Sequence, residues 1–229
     1  MKRNRLAAYA LGIAVAAAMT GCGGDDGDAS GFADEPTEDI VAAAQKAMGD
    51  LESVHLAGEV TTEGNTITMD MSLSTTGDCE GELSIDGGAL EVLQVGGTGW
   101  FKADDAFWEG QAADQADRII AAAGDKWVVD SGTQFTSFCD LDGFLEEIVS
   151  SDDDEEYEKD GTEDVDGAEA VKITGGDSTA FIAADDPHYI LKLAGSGDGE
   201  GEITFSEFDE DIEVEAPADD EVVSLDQLG

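Results

Sequence analysis

Three cysteines, two histidines and a large surplus of carboxylates are the side chains in this chain of 229 residues that have chemistry to offer. Cys22, Cys79 and Cys139 lie far apart, and with only His55 and His188 beside them they make a poor zinc-ligand set. Both histidines read as ordinary surface or sheet residues. The 55 Asp and Glu side chains outnumber 10 Lys and Arg, so no particular pair of acids stands out for general acid and base work. Neither a GxSxG elbow nor an HExxH helix occurs. The run 152–166 holds ten carboxylates but lacks the DxDxDG calcium loop with its distant glutamate, and "DGTEDVDG" reads as turns at a solvated acidic hairpin tip. The expectation is a protein that is not an enzyme and carries no metal and no cofactor.

Cys22 has a more specific context. Lys2, Arg3 and Arg5 precede an Ala-rich apolar run from Leu6 to Met19, shorter than the roughly 20 residues a spanning helix needs. That is the pattern of a secretory signal. The run ends in "MTGC", which resembles the lipobox of bacterial lipoprotein signal peptides, with Met19 where leucine is more usual. The resemblance implies cleavage after residue 21 and a diacylglyceryl group on the Cys22 thiol. Acyl chains contribute about 0.8 kcal/mol per buried methylene, so two or three hold a protein durably at a membrane face. The expected site is the extracytoplasmic face of a bacterial cell membrane, anchored and not spanning.

Removing residues 1–21 takes away three basic and no acidic side chains, which leaves 7 Lys and Arg against 55 Asp and Glu and a formal charge of −48. Such a field repels nucleic acid and other polyanions. It suits a salt-tolerant exterior and equally an acidic exported protein. Once Cys22 is acylated, Cys79 and Cys139 remain, and an even number in an oxidising compartment favours a bridge over free thiols or a metal pair.

The organisation along the chain is a tether over 22–36, rich in Gly and Asp, followed by one domain over 37–229. Pro36 and Thr37 open a helix whose apolar stripe is Ile40, Ala44, Ala47, Met48 and Leu51. From Ser53 the period becomes two. Val54, Leu56 and Val60, then Ile67, Met69, Met71 and Leu73, define a hairpin around "TEGN" with one wet face. "CEGELSI", "ALEVLQV" and "GWFKA" extend it as an antiparallel meander. A helix over about 105–123 then presents Trp108, Ala112, Ala116, Ile119, Ile120 and Ala123. "KWVV" is a short strand, and a second helix over about 136–149 turns Phe138, Leu141, Leu145 and Ile148 inward, with Cys139 near its start. "AEAVKIT", "STAFIAA", "YILKLAG" and "GEITFSEF" read as four closing strands. The tail "IEVEAPADDEVVSL" reads as extended along the sheet, ending in a short turn or helix.

Several of these stretches together, "SVHLAGEVTTEGNTITMDMSLS", "GDCEGELSI", "DDAFWEG", "CDLDGFLEE", "FIAADDPHYILKLAG" and "ITFSEFDEDIEVEAPADDEVVSL", resemble an actinobacterial lipoprotein family related to LppX and LprG, within the LolA-like group. The likeness spans about 37–226 and is carried by strand and turn patterns. It implies an α+β fold: a strongly curved antiparallel half-barrel whose concave face is covered by helices and encloses an apolar cavity. Members with known roles carry acylated lipids or glycolipids, so the resemblance implies a monomeric envelope lipoprotein that binds or carries such a ligand. Its cavity candidates here are Val54, Leu56, Ile67, Met69, Met71, Leu73, Trp108, Ile119, Ile120, Phe138, Leu141 and Phe144. The same residues suit a filled core, which would leave a tethered sensor or protein-interaction module of the same fold.

Overall fold

The computed structural model describes residues 29–131, 135–149, 156–197 and 199–224. The signal segment, Cys22, the start of the tether and the acids at 152–155 lie outside them. A four-residue helix α1 (Ala29–Phe32) leads to α2 (Thr37–Gly49). Pro36 sits immediately before α2, Glu38 and Asp39 occupy its first turn where the helix dipole favours negative charge, and Ile40, Ala44, Ala47 and Met48 are buried.

The first meander comprises β1 (Ser53–Thr62), β2 (Asn65–Ser74), β3 (Cys79–Ile85), β4 (Gly88–Val95) and β5 (Thr98–Ala103). The turn between β1 and β2 places Glu63 and Gly64 at φ 53° and 85°. Two successive residues with positive φ match the right-handed twist of the strands they join. After β5 come α3 (Asp105–Ala112), α4 (Ala116–Ala123) and β6 (Trp127–Val129). Helix α5 (Leu141–Val149) follows a 3-10 turn over Thr136–Cys139. The second meander is β7 (Tyr157–Val165), β8 (Ala168–Gly175), β9 (Ser178–Ala183), β10 (Ile190–Gly195) and β11 (Glu200–Ser206), and the chain closes on β12 (Val222–Ser224).

All twelve strands form one open sheet in the order β12-β6-β5-β4-β3-β2-β1-β11-β10-β9-β8-β7. Strands β1 and β11 are the seam between the two meanders, with Leu56 opposite Phe205 and Val60 opposite Gly201. Gly58 sits on that seam, where a Cβ would run into the backbone of Glu202 and Ile203. Only glycine permits so close an approach, which strong coiling of the sheet requires. The apolar alternation then faces the concave side, where α2, the α3–α4 pair and α5 meet one continuous cluster that includes Ile40, Met48, Val54, Leu56, Met71, Leu83, Phe101, Leu141 and Phe205.

Four departures from the sequence reading have physical causes. The helix expected over 105–123 is broken: Asp104 caps α3 by accepting a hydrogen bond from the Phe107 amide at 2.7 Å, and Ala113 at φ 44° turns the chain before α4. The acidic stretch read as turns is largely the edge strand β7, paired with β8 from Tyr157 opposite Gly175 to Val165 opposite Ala168. Almost all its side chains are exposed, so composition carries no alternation, while the free edge of β8 supplies the backbone bonds. The sheet is mixed, because β12 lies parallel to β6, Val223 opposite Val128. The part of the tether from Phe32 on is docked: the Phe32 ring stacks on His188 at 3.6 Å, and Lys159 Nζ donates to the carbonyls of Ala33 at 2.6 Å and Glu35 at 2.9 Å.

Between β11 and β12 the chain crosses the convex face as a strap. One end is held where Ser53 donates its hydroxyl to the Glu210 carbonyl and the Asp209 amide donates to Ser53 O at 2.9 Å. The Tyr189 and Phe208 rings stack there at 4.2 Å. At the other end Lys126 Nζ donates to the Asp220 carbonyl at 2.9 Å.

Candidate functional site

The concave face is not packed evenly along its strands. Over one half, four rings interlock: Phe101 lies 5.8 Å from Trp108 and 4.7 Å from Phe135, and Phe107 lies 5.5 Å from both Trp108 and Phe135. Near α2, the β1 and β2 positions Val54, Leu56, Met71 and Leu73 are almost wholly enclosed. Toward the turns that join β1 to β2, β8 to β9 and β10 to β11, the same face carries Val60, Ile67, Met69, Leu193 and Ile203, each only half-buried.

A trough of about 390 Å³ opens there, lined by Val60, Leu193 and Ile203 with Ser178, Gly195, Gly201 and one charged residue, Glu202, and roofed by Phe144 of α5. The volume lies in the range of small-molecule sites, and the lining is mainly apolar as such sites require. Its floor comes from register. Val60 pairs with Gly201, Gly201 with Gly195, and Gly195 with Ser178, so of four adjacent strands the two central ones, β11 and β10, present no side chain along that line. The next row on the same face, Ile203, Leu193 and Ala180, is the wall. Phe144 is held over the floor through Phe205, with ring centroids 6.1 Å apart.

The helix that carries Phe144 is fixed at its start. Cys139 is bridged to Cys79 of β3, with Cα atoms 5.6 Å apart and both cysteines buried. Asp130 organises the approach: its Oδ2 accepts from the amides of Phe135 and Thr136, both at 2.9 Å, and from the Thr136 hydroxyl at 3.1 Å.

Of the twelve cavity candidates, the structure places Phe144 in the trough lining. Ile67 and Met69 lie beside it on β2, since Ile67 pairs with Val60 and Met69 with Gly58. Ile119, Ile120 and Phe138 are half-buried against the main cluster. Val54, Leu56, Met71, Leu73, Trp108 and Leu141 lie within the closely packed core. Sequence reasoning did not single out Val60, Ser178, Leu193, Gly195, Gly201 and Ile203 as a site. Strand periodicity hinted at the apolar three, Val60 in the first hairpin and Leu193 and Ile203 in the closing strands.

The convex face has the opposite chemistry. Asp70, Glu80, Glu82, Glu91, Glu215 and Glu221 surround a hollow of about 560 Å³ between sheet and strap, with Trp127 on one side. His55 stands on this face, its Nδ1 3.1 Å from Ser72 Oγ and its Nε2 3.6 Å from Asp70 Oδ1. Tyr189 donates its hydroxyl to Asp209 Oδ2 at 2.6 Å, and that hydrogen bond, with partial burial and the carboxylate charge, pushes its pKa up to about 12. Among the described residues no helix is long and apolar enough to cross a membrane.

An open, curved sheet with helices on its concave face is the fold of the LolA-like lipoproteins. The chain is similar to LprF from Mycobacterium bovis, with a TM-score of 0.55 at 18% identity over 79% of this chain and 96% of that one. It is similar also to the lipoprotein LppX of Mycobacterium tuberculosis, with a TM-score of 0.52 at 19% identity over 79% of this chain and all of that one. No protein-family model and no curated protein sequence matches it.

Proposed function

We propose that this protein is a cell-envelope lipoprotein, held at the extracytoplasmic membrane face through Cys22, that binds and carries a lipid or other acylated hydrophobic ligand without catalysing a reaction. The observation that carries this reading is the apolar trough of about 390 Å³ on the concave face, left open beside a core that is otherwise closely packed. Its lining offers a hydrocarbon tail relief from water at about 25 cal/mol per Å² of apolar surface covered, with no covalent step. In this reading Phe144 roofs the ligand, Ile67 and Met69 extend its bed, and Ile119, Ile120 and Phe138 are the next apolar neighbours. Val54, Leu56, Met71, Leu73, Trp108 and Leu141 hold the frame rigid. The "MTGC" segment and the likeness of the fold to LprF and to the lipoprotein LppX support the envelope setting.

The test is native mass spectrometry of the processed protein released gently from membranes, together with uptake of a panel of fluorescent lipids. Co-purifying lipid and saturable uptake are expected. Absence of both, for every lipid class offered, overturns the carrier reading.

A further inference from the structure

We propose that the strap between β11 and β12 is a salt-dependent cover, seated on the convex face at high ionic strength and lifted from it, with both ends still fixed, at low ionic strength. The first argument is how little holds its middle. Its proximal end is fastened through Ser53, and the Glu52 amide adds a hydrogen bond to Asp209 Oδ1 at 2.8 Å. Its distal end runs into β12, where Val223 is buried opposite Val128 of β6. Between these fixings, residues 211–217 make no hydrogen bond among the described residues, so their backbone groups are left to water. What seats them is apolar: Ile212, Val214 and Pro217 are half-buried, whereas Glu213 and Glu215 are exposed. Segments with so few buried contacts open locally far more readily than the fold as a whole.

The second argument is charge. Asp70, Glu80, Glu82 and Glu91 stand on β2, β3 and β4 beneath the strap, which brings Glu207, Glu210, Asp211, Glu213, Glu215 and Glu221 around the same two hollows. Among the described residues no lysine or arginine lines either hollow. Lys102 Nζ, 3.5 Å from Glu91 Oε1, and the His55 ring, 3.6 Å from Asp70 Oδ1, offset at most two of the four sheet carboxylates. A small apolar contact therefore seats the strap, and like charge pushes it off. Salt weakens only the second force, because the screening length falls from about 30 Å at 0.01 M to about 3 Å at 1 M while apolar contact is undiminished. Lifting uncovers Leu93 and Trp127, which share the larger hollow with Ala216 and Pro217 of the strap.

A net charge of −45 makes the whole molecule sensitive to salt, so the measurement has to be local. The experiment uses the processed full-length protein with nitroxides on Ala89→Cys of β4 and Ala216→Cys of the strap, two exposed positions, and reads their separation by pulsed electron spin resonance. The sequence without these substitutions is the blank for labelling elsewhere, and a pair within the sheet, Thr68→Cys with Ala89→Cys, is the control. At about 0.01 M sodium chloride a long-distance population is expected, and its ratio to the short one should fall about tenfold by 1 M. Neutralising either side, with Glu213→Gln and Glu215→Gln on the strap or Glu80→Gln and Glu82→Gln on the sheet, should remove most of that change. Tetramethylammonium chloride should act like sodium chloride at equal ionic strength, as screening requires. A strap distance indifferent to salt, or as responsive in both neutralised variants as in the unaltered sequence, overturns the proposal. So does a response to sodium alone, which would mean a bound cation, or an equal change in the control pair, which would mean that the sheet itself loosens.

Discussion

Reduction of the Cys79–Cys139 bond tests how the roof of the trough is held. The two residues are 60 positions apart, so an intact bond removes about 4 kcal/mol of loop freedom from the unfolded chain in the entropy model. Both cysteines are buried, and reduction leaves the sulfur atoms in place, so little packing is lost with the bond. For a domain of this size that corresponds to roughly 8 to 16 °C in melting temperature. Urea unfolding followed by tryptophan emission, with and without a thiol reductant at fixed pH, measures the difference. The oxidised protein should also show a shallower denaturant slope, because its cross-linked unfolded state stays more compact. A second readout is functional: Cys139 precedes α5, so reduction should loosen Phe144 and weaken ligand retention more than the residual stability alone accounts for. Oxidised and reduced midpoints agreeing to within about 1 kcal/mol would refute the reasoning, since the crosslink would then restrict nothing that folding does not already restrict.

Two further outcomes follow from polar contacts. Asp130→Ala removes the acceptor for three donors around Phe135 and Thr136, and should cost about 2 to 4 kcal/mol by chemical denaturation, whereas Asp130→Asn, which keeps one oxygen, should cost about 1 kcal/mol. Equal losses in the two variants would show that charge and not hydrogen bonding matters there. Tyr189 is raised from an ordinary value of 10.0 to about 12, so its neutral form is favoured by folding. Its contribution is complete below pH 10 and lost as pH climbs toward 12, because the unfolded chain releases the proton first. Asp209→Asn should bring the tyrosinate absorbance titration back toward the ordinary range, and an unchanged titration would contradict the Tyr189–Asp209 contact as its cause.

Much of this architecture is legible in local pattern. Val54, Leu56, Ile67, Met69, Met71 and Leu73 alternate with polar neighbours, and "TEGN" has the residues a tight hairpin needs, so β1 and β2 are specified by segments that meet across a turn. The two buried cysteines are likewise visible as a pair once a compartment is inferred from residues 1–22. Strand β7 is invisible by the same criterion. An edge strand that is polar on both faces has no period to detect, and its only reason to be extended is the unpaired edge of β8. Helix α4 is similar, since nothing in "GQAADQAD" marks Ala113 as the residue that turns the chain.

The amino-acid order by itself determined the charge, the lipobox-like context on which the expectation of a lipid anchor at Cys22 rests, the hairpins and the apolar faces, because each depends on neighbours within one or two turns of chain. Only the tertiary structure decided which apolar residues became solid core and which were left around an opening. Val60, Gly201, Gly195 and Ser178 belong to strands distant in sequence, and each is unremarked alone. They form a floor because backbone pairing fixes register across the sheet, and a shift of one residue in any pair would turn that strand's contribution to the opposite face.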